Sequence, residues 1–127
     1  MKIKLYIAIA LFIFAHHLIF SIALSDTRNN PIAKITSNDF MHFTAFFGLA
    51  FIFSLILLIA EKYVKFPFTI SFLYSVFIAV LVEMLQVSTS TRFFSYLDIL
   101  IGTIGASVYS ILGIIAYNYH LFEKYWN

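Results

Sequence analysis

The stretch VEMLQVSTSTRFFSYLDILIG, residues 82–102, sets Glu83, Gln86, Arg92 and Asp98 between two runs apolar enough for lipid, and His42 opens an earlier run of the same kind. Together these side chains offer a cation, two carboxylates, an imidazole and an amide. An imidazole or a carboxylate can move a proton, and a guanidinium fork can hold a carboxylate or a phosphate. Glu83, His42 and Asp98 are therefore the candidate catalytic groups, and Arg92 and Gln86 the candidate substrate-binding groups.

Each has a plainer alternative. A carboxylate at the centre of a spanning helix costs on the order of 2.5–3.5 kcal/mol, so Glu83 either pairs with Arg92 or serves a ligand or a proton. Gln86, three residues on, could equally be a hydrogen-bonding tie between helices. Ser95-x-x-Asp98 reads as a capping box, in which the serine caps a helix and the acid bonds back to the serine backbone. His42 follows Ser37-Asn38-Asp39, residues that favour a helix N-cap, and could be a satisfied polar tip. His16 and His17 are possible lining groups. A zinc site from His42, Glu83 and Asp98, with His16 or His17 of the first run as a fourth ligand, is conceivable, but no ligand spacing supports it, so the sequence calls for no metal and no cofactor. P-loop, GxSxG, HExxH and glycine-rich nucleotide motifs are absent.

The elements that must position these groups follow from composition. The 127 residues are 62% hydrophobic and 11% charged, far from the usual soluble mix. Continuously apolar runs at residues 4–24, 40–60, 68–87 and 96–119 each suffice for a spanning helix of about 20 residues. Alternation, the mark of a β-barrel, is missing. The expected fold is all-α: an integral membrane bundle of four transmembrane helices in a single membrane domain, residues 1–127. There is no cysteine, so disulfide and thiol chemistry are excluded. The slight positive charge orients helices and does not imply nucleic acid. Membrane lipids are the expected partners; the sequence does not indicate an oligomeric state.

Lys2, Lys4, Lys62, Lys65 and Lys124 fall on one side of the four runs and Arg28, Lys34 and Arg92 on the other. The positive-inside rule then puts both termini in the cytoplasm. A cleaved signal peptide ending near Ala23-Leu24-Ser25 competes, but its apolar stretch would be long for that role. On this topology Glu83 lies about 7 Å and Gln86 about 3 Å below the outer rim, with His42 and Asp98 at similar depth. The small or polar rows Ser71-Ser75-Ala79-Glu83, Asp98-Gly102-Gly105 and His42-Ala45-Gly48 would face the bundle interior, since small residues mark close approach of membrane helices.

The segments NDFMHFTAFFGLAF, VEMLQ and TRFFSYLDILIGTIGA, in this order and spacing, resemble the VanZ-like family of small bacterial membrane proteins. The family pattern is an Asp-Lys before a histidine, Glu-x-x-Gln ending the next helix, a loop arginine, an aspartate about six residues later, then an Asn and a Gly one and two turns on. It carries over to His42, Glu83, Gln86, Arg92, Asp98 and Gly105. Asn38 and Asp39 stand in place of the leading pair, and Gly102 in place of the Asn. The resemblance implies a bacterial inner-membrane protein of the cell envelope and an association with resistance to teicoplanin-type glycopeptide antibiotics, with no established reaction. The expected function is an outer-leaflet polar site that binds or processes an envelope lipid head group or lipid-linked precursor. The alternative is a non-enzymatic scaffold whose polar cluster only locks helix packing. Ion conduction is the weakest reading, because the polar groups stop near one rim.

Overall fold

The computed structural model describes residues 2–24, 38–60, 64–89 and 93–119. They form four helices: α1 (Lys2–Leu24), α2 (Asn38–Ile59), α3 (Pro67–Gln86) and α4 (Tyr96–Asn118). Each is long and apolar enough to cross a membrane, and no strand occurs among the described residues. The chain is an all-helical, multi-pass membrane protein whose outer surface meets lipid. Leu73 and Phe77 on α3, and Leu100, Ile111 and Leu112 on α4, are among the exposed side chains that do so.

Local signals explain the helix boundaries. Pro67 opens α3, where its fixed φ suits a helix and its missing N–H is not needed. Ser95 caps α4, its Oγ accepting from the Asp98 backbone N–H at 3.2 Å. Half of the expected capping box is thus present and half is not. The Asp98 carboxylate does not turn back to the Ser95 backbone; that N–H donates to Glu83 Oε2 at 3.0 Å, and Asp98 turns towards α2. The reason is reach: the carboxylate of α3 already stands at the open N-terminus of α4.

The row Ser71-Ser75-Ala79-Glu83, continued by Gln86, is buried as its spacing predicts. Ser71 and Ser75 return their hydroxyls to backbone carbonyls one turn back, so they pass as small groups in the apolar interior. Against α4, α2 packs closely: a Cβ on Gly105 would run into the carbonyl of Phe43, and one on Gly102 into the ring of Phe46. Gly48 departs from the expected close approach, since an added Cβ there would meet nothing within 4 Å. It faces a gap towards α1.

α1 is the least embedded helix, with only Ala8 and Ala23 buried. It is fastened at two levels. Gln86 Nε2 donates to the Ala23 carbonyl at 2.9 Å, and about two turns lower His16 Nε2 meets the Tyr74 hydroxyl at 2.7 Å. The His16 ring is packed among Phe12, Phe20 and Tyr74, whereas His17 is exposed.

Candidate functional site

Chain direction alone gathers the polar groups at one end of the bundle. The start of α2, the end of α3 and the start of α4 are level, and with them come Asn38 and His42, Glu83 and Gln86, and Ser95 and Asp98. His42, Glu83 and Gln86 are buried, the last two to 1% exposure, and Asp98 is partly buried. One ligating atom each of His42, Glu83 and Asp98 lies within 4.8 Å of the other two. Three of the five residues singled out by sequence therefore meet. Arg92 lies outside the described residues, as do Arg28, Lys34, Lys62 and Lys124, on which the expected orientation rests.

Asp98 is gripped from α2 on both oxygens. Asn38 Nδ2 donates to Oδ1 at 3.1 Å, and His42 Nε2 stands 3.3 Å from Oδ2. Asn38 and His42 are four residues apart on α2 and so share a face. Sequence reasoning passed over Asn38 as a capping residue; the spacing Asn-x-x-x-His was the available signal. Phe46, one turn below, stacks on the His42 ring at 6.3 Å between centroids and floors the cluster.

Glu83 answers the question its position raised. Near the C-terminus of its own helix the dipole disfavours an anion, but its Oε2 accepts from Ser95 N–H at the N-terminus of α4, where the dipole favours one. The residue thus joins two successive helices across their loop.

Gln86 is placed differently from the trio. Its amide is committed to Ala23 of α1, which is the tie between helices that its type allows. It also lines, with Asn38 and His42, one end of a cavity of about 390 Å³ between α1 and α2. Apart from Thr44 the rest of that cavity is apolar, bounded by residues such as Leu18, Gly48 and Ile52. From Asn38 to Ile52 the α2 wall extends roughly 20 Å, more than half of the ~30 Å hydrocarbon core. Its volume falls within the usual range of about 300–1,000 Å³ for ligand sites.

The arrangement can do two kinds of chemistry. An imidazole oriented by a carboxylate is the arrangement of a proton acceptor, and Asp98, held by Asn38, is fixed to orient it. Alternatively, with its proton displaced, the His42 Nε2 that faces Asp98 forms with the two carboxylates a donor set for a divalent cation. No family model, curated protein or solved structure matches the chain, so the site stands on its own geometry.

Proposed function

We propose that the cluster is the head-group end of a lipid site, facing the outer leaflet of a bacterial cytoplasmic membrane, in a protein of the VanZ-like type. The observation that supports it best is the continuity of the apolar cavity between α1 and α2 with Asn38, His42 and Gln86 at its polar end. One amphipathic molecule, an envelope lipid or lipid-linked precursor, fits both halves: its chain along Gly48 and its head at Asn38, His42 and Gln86, with Asp98 behind His42. The resemblance adds that the family pattern carries an amide where Gly102 stands. Here Asn38 supplies an amide to Asp98 from the neighbouring helix. If a bond in the head group is altered, His42 is the proton acceptor, Asp98 orients it, and Arg92 is the charge partner from the loop.

The test is lipid retention by the purified protein, read by native mass spectrometry. Wild type is expected to keep a bound lipid and Gly48→Leu to lose it, because the new side chain grows into the cavity from a position where its Cβ meets no other atom within 4 Å. Equal retention by Gly48→Leu overturns the reading. Sidedness is tested by single cysteines in the cysteine-free chain: Thr89→Cys should react with an impermeant reagent from outside and Lys62→Cys should not.

A second reading is favoured by a specific observation. The Ser95 to Glu83 and Asn38 to Asp98 hydrogen bonds join α2, α3 and α4, which is what an internal lock would do. A Glu83→Leu variant that folds and sustains wild-type resistance to envelope antibiotics at matched abundance would favour this reading, since buried polar pairs can often be replaced by apolar groups.

A further inference from the structure

We propose that His42, Glu83 and Asp98 bind a divalent transition-metal ion. The three donors come from three different helices and converge to within 4.8 Å at a buried end of the bundle. Ligands at about 2.0–2.2 Å from a common ion stand roughly 3–3.5 Å apart. The His42 Nε2 to Asp98 Oδ2 distance of 3.3 Å already has that spacing, and the Glu83 donor oxygen lies within 4.8 Å of both, so roughly an ångström of closure brings it to the ion.

Two features separate this trio from an ordinary acidic patch. It contains a buried imidazole, a common ligand of Zn²⁺ and related ions. Both carboxylates also carry an outer hydrogen bond on one oxygen: Ser95 N–H to Glu83 Oε2 and Asn38 Nδ2 to Asp98 Oδ1. Outer bonds of this kind orient metal-binding carboxylates and hold the donor set in place before the ion arrives. One nitrogen and two carboxylates suit Mn²⁺, Fe²⁺ or Zn²⁺, with remaining positions open to water or to an anionic head group.

The proposal does not depend on the lipid reading, and the experiment uses delipidated protein in detergent so that the two can fail separately. The full chain is stripped with EDTA and titrated with Mn²⁺ alone, followed by electron spin resonance. Saturable uptake of a single ion per chain is expected, with spin-echo modulation from a bound imidazole nitrogen and displacement by Zn²⁺. His42→Ala should abolish the nitrogen signal, and Glu83→Gln and Asp98→Asn should abolish uptake, while the exposed His17→Ala leaves both unchanged. Asn38→Ala, which removes only an outer hydrogen bond, should weaken binding about 10–100-fold. Absence of saturable uptake by the wild type overturns the proposal whatever the variants do, and so does a nitrogen signal that survives in His42→Ala.

Discussion

The two faces of α2 use the same residue type for opposite purposes. Towards α4, Phe43, Phe46 and Ala50 meet Gly102, Gly105 and Ala106 so closely that Gly105 lies under a backbone carbonyl. Towards α1, Gly48 borders a cavity of about 390 Å³ that reaches the polar cluster. In a bilayer, lipid tails are as apolar as leucine, so helices associate through close packing and hydrogen bonds. A glycine that permits contact strengthens that packing, while one that leaves a gap contributes nothing to it and is open to another use. The α2/α4 face is therefore the close-packed side of the molecule, and the α1/α2 face is the side on which the proposed ligand would lie.

The largest effect should come from breaking the close face. Gly105→Leu sets a branched side chain against the Phe43 carbonyl, which only movement of a whole helix can relieve. Overpacking costs about 1–3 kcal/mol where side chains can yield, and the obstacle here is backbone, so the cost should exceed that range and the effect of deleting any single core side chain. Here the variant should lose most of its folded population, read as membrane abundance and as thermal aggregation in detergent.

That glycine was legible in the sequence, because the row Asp98-Gly102-Gly105 places small residues on one face of a spanning helix. So were the helices themselves, from uninterrupted apolar length, and the meeting of His42, Glu83 and Asp98, from helix direction and depth. Gly48 was misread for a physical reason: a small residue permits a close neighbour but does not supply one, and periodicity on α2 says nothing about where α1 stands. The role of Asn38 was hidden because its partner is 60 residues away, and an asparagine at a helix start has a sufficient local explanation in capping. The polar contact between Ser54 and the Tyr109 hydroxyl, deep between α2 and α4, was likewise invisible to local pattern.

Phe46 belongs to both faces, and its removal should be the next largest effect. Its ring covers Gly102, stacks on His42 and lines the cavity. Phe46→Ala should destabilise by about 3–5 kcal/mol, the usual range for deleting a buried phenyl ring. It should also join the space over Gly102 to the groove. Unfolding in detergent would report the first effect, and broadened lipid selectivity in native mass spectra the second.

Gly48→Leu is the variant that separates the faces most sharply, because stability and ligand binding should move in opposite directions. Leucine is favoured over glycine within a helix by about 0.8 kcal/mol, its Cβ meets nothing within 4 Å and the cavity gives the rest of the side chain room, so the fold should be unchanged or slightly firmer. The retained lipid should be lost. Thermal stability falling together with lipid would show that the gap closes in the bilayer and that both faces of α2 are structural.

The smallest effect concerns how the α1/α2 side is kept open. α1 is held at Ala23 by Gln86 and near its middle by His16 on Tyr74, and the cavity wall of α1 extends between and around those levels. Hydrogen bonds between membrane helices average about 0.6 kcal/mol, so Tyr74→Phe should barely alter unfolding. It should nevertheless let α1 shift against α2, because it removes a directional side-chain bond at that level and leaves non-directional ring contacts such as Phe12 on Phe53 at 5.3 Å. A spin label on α1 at Ala15 and another on α2 at Ile52 would read this as a broader distance distribution in Tyr74→Phe, with wild-type width kept in the control Ser54→Ala, whose lost hydroxyl lies on the α4 side. Equal widths in all three would assign the spacing of α1 to the Gln86 tie alone.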